Sequence, residues 1–270
     1  MASRGGIVSR LKRKKIQEVV AAGKRMDGRG LEDYREFVVK TGVMEKSEGS
    51  AEVKLGKTWV VAGVKVGVGT PFEDTPEMGV LMCNAEFTPV AHPTFEPGPP
   101  DEESIELARV VDRGLRSAEI LDFKKLALVP GKLVYLVHVD LYVLNYDGNL
   151  IDTSALAAIA ALKTAVKPVH KVKEGEIEAT GKKEPLEVLK EPVAVTMVKI
   201  GDSLIVDPSA DEEEVMDLRL TITLEKDGSI CTVQKSGSEG LTMEDIQKAV
   251  KIASEKAAEN RKLIAGKADA

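Results

Sequence analysis

Residues 132–168 read KLVYLVHVDLYVLNYDGNLIDTSALAAIAALKTAVKP, and the folding of this stretch decides the class of the whole chain. Side chains alternate across a strand, so Leu133, Tyr135, Val137, Val139, Leu141 and Val143 share one face of a strand from Lys132 to Asn145. The opposite face is also largely apolar, which predicts a central strand covered on both sides. Asp147-Gly148 is a turn. Thr153 or Ser154 can cap a helix over Ala155–Lys167, and Pro168 stops it. That helix is alanine-rich and apolar nearly all round, which predicts close packing against a sheet.

Toward the N-terminus, residues 7–22 read as a helix, with Val8, Leu11, Val19 and Val20 apolar and Lys or Arg elsewhere. Arg25-Met-Asp-Gly-Arg29 has loop chemistry. Strands follow at Arg35–Val43, at 51–55 turning through Gly56-Lys57 into 58–66, and at Gly79–Val90. The loop from Ala91 to Pro100 holds too many prolines for regular structure. Asp101 can cap a helix running to Leu121 that buries Ile105, Ala108, Val111 and Leu115.

Toward the C-terminus, Val169–Pro192 is rich in Lys, Glu and Gly and carries no assignable period. Two hairpins come next, 193–200 with 204–207 through Gly201-Asp202, and 218–224 with 230–235 through Asp227-Gly228. Thr242 and Asp245 have capping-box spacing ahead of a helix with Ile246, Ala249, Val250, Ala253 and Ala257 on one face. Strands and helices mix without strict βαβ alternation, so the expected class is α+β, helices packed on mixed and antiparallel sheets. The chain is expected to form one domain of two loosely similar halves, 1–190 and 191–270.

Composition narrows the function classes. Of 270 residues, 43% are apolar and 30% charged, which excludes a disordered chain. The net charge of −6 argues against a general nucleic-acid coat, so any such contact must come from a local patch. Cys83 and Cys231 form no C-x-x-C pair and read as reduced core residues. No apolar run follows the basic Arg10–Lys15 stretch, and Ala155–Leu162 is far short of a bilayer span, so a cytoplasmic protein without membrane contact is expected.

Few residues offer chemistry. Arg109, Arg113 and Arg116 lie at i, i+4, i+7 and so share one helical face. Three guanidiniums there could track a polynucleotide backbone. The alternative is a solvated face paired within the helix, Glu106 with Arg109 and Asp112 with Arg116. The run Asp211–Glu214 could hold Mg²⁺ or supply acid and base groups, or could simply be solvated. His92, His138 and His170 lack metal-ligand spacing; His138 and Asp140 share a strand face with no nucleophile beside them. Gly63–Gly69 lies in and after a strand with no helix behind it, so it is not a phosphate loop. The basic residues at 10–15 read as the polar face of the first helix.

Several segments together resemble the ribonuclease PH family: Arg25–Arg29, Gly49–Thr58, Glu103–Arg113, Tyr146–Asp152 and Val206–Glu214. The series covers nearly the whole chain, and within the family it looks like the non-catalytic ring subunit of an archaeal RNA exosome. The resemblance implies a duplicated fold similar to ribosomal S5 domain 2. It implies a hexameric ring of three heterodimers with a catalytic ribonuclease PH-like subunit, S1- or KH-containing cap proteins, and single-stranded RNA degraded from its 3′ end by phosphate. It implies no cofactor and no catalytic or metal-binding residue in this chain, and RNA contact through Arg113 and Arg116 with Arg109 beside them.

The departures from that family carry this expectation. Active members have a Gly-Ser/Thr-Arg phosphate loop where this chain has Gly148-Asn-Leu-Ile-Asp152. They also have two aspartates six residues apart, where this chain has Asp207, Pro208 and Glu213. A carboxylate in place of a cation should repel phosphate. Two other readings stay open: an active phosphate-dependent exoribonuclease using Asp207 and Glu213 as metal-binding acids, and an RNA-free binding module of the same fold.

Overall fold

The computed structural model describes residues 7–173 and 176–267, with side chains from Leu11 to Lys262. Val8 and Arg10 therefore lie outside the described side chains, and the stretch before Ile7 outside the described residues. Five helices and twelve strands are described, arranged as two sheets and a separate hairpin.

The first sheet holds β1 (Phe37–Thr41), β2 (Gly49–Leu55), β3 (Thr58–Gly69), β4 (Val80–Phe87), β5 (Ala127–Val129) and β6 (Leu133–Asn145). Its order is β1-β2-β3-β6-β4, with β5 also on β6. All pairs are antiparallel except β4 with β6. The parallel pair is joined across one sheet face by α2 (Glu102–Ser117), as a crossover connection requires. Helix α3 (Leu150–Lys163) lies beside α2. The second sheet holds β9 (Val193–Ile200), β10 (Ser203–Val206), β11 (Leu218–Leu224) and β12 (Ile230–Ser236) in the order β10-β9-β11-β12.

Helices α2 and α3 are sandwiched between the two sheets. Leu107, Ala108, Val111 and Leu115 of α2 and most of α3 join the core of the first sheet. Their other sides meet β12 and β9. The backbone of β2 approaches α3 so closely that a Cβ on Gly49 would lie 2.4 Å from the Ala161 carbonyl oxygen, which only glycine permits. Helix α5 (Met243–Lys267) covers the far face of the second sheet with Ala249, Ile252, Ala253 and Ala257. Helix α1 (Ile7–Ala21) buries Ile16 and Val20 against Val198, Ile200, Ile205 and Val215. The short α4 (Ala210–Val215) links the sheet to α1, and β7 (Val166–Lys173) with β8 (Glu176–Pro185) forms the outlying hairpin.

Several sequence expectations need correction. Beyond Val134, strand β6 is buried on one face only; Leu136, His138 and Asp140 are half-buried and Tyr142 is exposed, because α2 and α3 stack on the other face. The helix expected over 155–167 begins at Leu150 and ends at Lys163, and its N-cap is Asn149 rather than Thr153 or Ser154. Pro168 sits inside β7 instead of stopping a helix, and 166–173 pairs antiparallel with 176–185 where the sequence carries no assignable period. Helix α2 ends at Ser117, not Leu121, with Glu119 at φ 54° just beyond it. Ile105 is exposed because the buried stripe of α2 runs through Ser104, Leu107, Ala108, Val111 and Leu115, which leaves Ile105 on the arginine side. Ile246 is likewise exposed, and Ile252 takes its place against the sheet. The strands expected at 35–43 and 79–90 are shorter, at 37–41 and 80–87. Cys83 and Cys231 are free thiols but half-buried; Cys83 packs beside the core and Cys231 does not. The Thr242–Asp245 capping box is present, each backbone N–H bonding the other side chain at 3.1 and 3.0 Å.

Candidate functional site

The turn that leads into α3 meets the turn that leads into α4. Gly148 has φ +84°, and a Cβ there would lie 2.4 Å from the Pro208 carbonyl oxygen, so glycine is required twice over. Asn149 and Asp207 also hold positive φ, 53° and 49°, which Asn and Asp tolerate best. This close approach buries Asn149, Asp152 and Asp207 together.

Asp207 is saturated. Arg35 grips it in a fork, Nε to Oδ2 at 2.9 Å and Nη2 to Oδ1 at 2.7 Å, and its backbone N–H adds a bond at 2.8 Å. Arg29 Nη1 donates to Oδ2 at 2.7 Å, and Asn149 Nδ2 to Oδ1 at 2.9 Å. Burial pushes the Asp207 carboxyl up, but the Arg35 bonds and charge outweigh it and hold the group below the ordinary carboxylate range.

Asp152 has no ion pair among the described residues. Tyr34 Oη, Asn149 Nδ2, Thr196 N and Thr196 Oγ1 all donate to it, at 2.7, 2.9, 3.0 and 2.7 Å. Burial is the larger effect and lifts this carboxyl to about 6. Since the folded value is raised, protonation favours the folded state: this group's contribution is fully present at low pH and is lost as pH rises through about 6. Relative to wild type, Asp152→Asn should therefore flatten the fall of unfolding free energy between roughly pH 4 and 7, a component on the order of 2–3 kcal/mol. Urea titrations at both ends of that window measure it. An identical pH slope in both proteins would mean that Asp152 titrates normally.

The run Asp211–Glu214 divides: the Asp211 and Glu214 side chains are solvated, 60% and 54% exposed, while Glu212 and Glu213 turn inward. Lys12 of α1 contacts Asp211 at 2.6 Å and Glu214 at 3.2 Å. Glu212 is buried against Arg25, which also donates to the carbonyls of Val206 and Asp207. Glu213 accepts from Tyr146 Oη at 2.7 Å and from Asn149 N at 3.0 Å. Among the described residues no group of His, Cys, Asp or Glu side chains is arranged to hold a metal ion. Lys12 and Arg13, through Asp217 at 2.9 Å, make the basic run the polar face of α1. Sequence reasoning missed Arg25, Arg29, Arg35, Tyr34 and Thr196 as members of this centre; only the Arg25–Arg29 motif gave a signal.

The exposed arginines of α2 stand apart from that centre. Arg116 is tied down: Nε meets Asp112 Oδ2 at 2.7 Å, Nη2 donates to the Leu81 carbonyl, and the guanidinium lies 6.0 Å from the Phe123 ring. The expected Glu106–Arg109 pair is absent, because Glu106 binds Arg219 of β11 at 2.8 Å. Arg109 and Arg113 have no hydrogen bond or ion pair among the described residues. They crown a ridge between two clefts, one of about 370 Å³ toward β11–β12 and one of about 530 Å³ toward β4. Like charges at i, i+4 repel, so this pair weakens the helix slightly instead of supporting it.

Residues 33–168 match the model of the 3′ exoribonuclease family, domain 1, and residues 190–256 that of domain 2. The "Exosome complex component Rrp42" of Pyrococcus abyssi is 52% identical over 96% of this chain and 95% of its own length. The protein of the same description from Methanothermobacter thermautotrophicus is 44% identical over 95% of both chains. Among solved structures, a chain of "archaeoglobus fulgidus exosome with RNA bound to the active site" superposes with a TM-score of 0.88 at 43% identity, covering 95% of this chain and 99% of that one. The rice Rrp46 structure, at 20% identity and a TM-score of 0.68, shares the fold.

Proposed function

Because the chain belongs to the 3′ exoribonuclease family, domains 1 and 2 in one polypeptide, we propose that it is a cytoplasmic ring subunit of an archaeal exosome core that positions RNA and leaves phosphorolysis to a catalytic partner. Three copies would alternate with three of that ribonuclease PH-like partner, under S1- or KH-type cap proteins. The two halves act as one unit, since α3 packs against both sheets.

The saturation of Asp207 carries this reading. Phosphorolysis needs free positive charge for the attacking phosphate and carboxylates free to act on metal or proton. Here both oxygens of Asp207 are occupied by arginines and an amide, the turn offers Asn149 and Asp152 in place of a cation, and Glu213 is held by Tyr146. The unpaired Arg109 and Arg113 support a role in gripping the substrate backbone instead.

Purified chain mixed with single-stranded RNA, inorganic phosphate and Mg²⁺ should release no nucleoside diphosphate. Adding a ribonuclease PH-like exosome subunit should start the release. Phosphate-dependent release by the chain alone would overturn the non-catalytic reading and favour Asp207 and Glu213 as active acids.

A further inference from the structure

The cleft on the β11–β12 side of α2 has a composition that neither of its walls shows alone. Arg109 and Arg113 stand on one rim, and Arg219 and Lys235 on the other, against only two lining carboxylates, Glu102 and Glu106. Glu106 fixes the Arg219 guanidinium at 2.8 Å while leaving further N–H groups for a ligand. The Lys235 ammonium rests on the Gly237 carbonyl at 2.7 Å, a neutral acceptor that leaves its charge uncompensated. Ile105, on the α2 wall, lines the cleft and is 48% exposed. Gln234 lines the same space and offers both a donor and an acceptor. The volume of about 370 Å³ falls within the range of small-ligand clefts, roughly 300–1,000 Å³.

We propose that this cleft takes one nucleotide of a single-stranded RNA, its phosphates held between Arg109–Arg113 and Lys235–Arg219 and its base lying over Ile105. The inference rests on the reading that α2 meets RNA, and it extends the contact onto the second half of the chain. A cationic groove tracks the backbone of a single strand without reading its sequence. Gln234 can meet a base edge or a 2′-hydroxyl, which gives the site a means of telling RNA from DNA.

The test titrates the full chain with a labelled single-stranded oligouridylate at several salt concentrations. Lys235→Glu should bind roughly 10-fold more weakly, and Lys235→Ala should lower the magnitude of the salt slope by about 0.7, the share of one single-strand phosphate contact. Lys235→Arg should retain both values. Gln234→Ala should narrow the preference for oligouridylate over the deoxy strand. The exposed position of Lys235 should leave the thermal midpoint unchanged in each Lys235 variant. If Lys235→Glu and Lys235→Ala bind like wild type while Arg109→Ala/Arg113→Ala loses affinity, the cleft assignment falls and the α2 reading stands. If all three bind like wild type, both fall. Displacement of the strand by uridine diphosphate at equal nucleotide concentration would show a free-nucleotide site and overturn the strand assignment.

Discussion

Asp207→Ala is expected to destabilise the chain by about 3–5 kcal/mol, the usual cost of removing one partner from a buried ion pair. The side chains of Arg35 and Arg29 are only 10% and 14% exposed, so neither charge regains full hydration once its carboxylate is gone. For a chain of this length the loss corresponds to a fall in thermal midpoint of roughly 10 °C. Asp207→Asn should lose less, because Asn tolerates the positive φ and keeps an acceptor for Arg35. The carboxyl is held below its ordinary range, so its stabilising share is present at neutral pH and lost as pH falls below that range; the alanine variant should show a blunted acid transition. Thermal melts at neutral and acid pH check both effects. A midpoint within a degree or so of wild type would mean that the aspartate is not the keystone of this centre, and would return it to the list of groups free for catalysis.

Arg109→Ala/Arg113→Ala should act on RNA and not on folding. Both side chains are exposed and have no partner among the described residues, so the fold should change by no more than about 0.5 kcal/mol, and loss of their mutual repulsion favours the helix. If each guanidinium holds one phosphate of a single strand, the salt slope should fall in magnitude by about 1.4. At about 1 kcal/mol per exposed contact, affinity should drop roughly 30-fold. Arg116→Ala should behave differently: it removes the bonds to Asp112 and to the Leu81 carbonyl, so its first effect is on stability. Fluorescence titrations paired with melts separate the two. An unchanged salt slope in the double variant would remove α2 from the RNA-contacting surface.

The wrong boundaries share a cause. Asn caps a helix as well as Ser and better than Thr, so residue type alone does not choose among Asn149, Thr153 and Ser154; the left-handed turn at Gly148–Asn149, formed against Pro208, does. The outer face of β6 looked fit for burial by composition, yet cover depends on which side the helices stack. Ile105 and Ile246 were counted inward for the same reason: an apolar residue near the edge of a helical stripe is turned in or out by its neighbours in space.

By itself the sequence determined the α+β class, the hairpins over 51–66, 193–207 and 218–235 and the arginine face of α2, because these depend on short-range periodicity and residue type; the missing cation after Gly148 followed only from the resemblance to the family. The tertiary structure decided which charges are spent. Glu106 chooses Arg219, 113 positions away, over Arg109 one turn away, and Arg35 reaches across 172 positions to close Asp207. Spacing along a helix fixes which side chains share a face. Only packing brings the distant counter-charge within bonding distance, and that choice leaves Arg109 and Arg113 free.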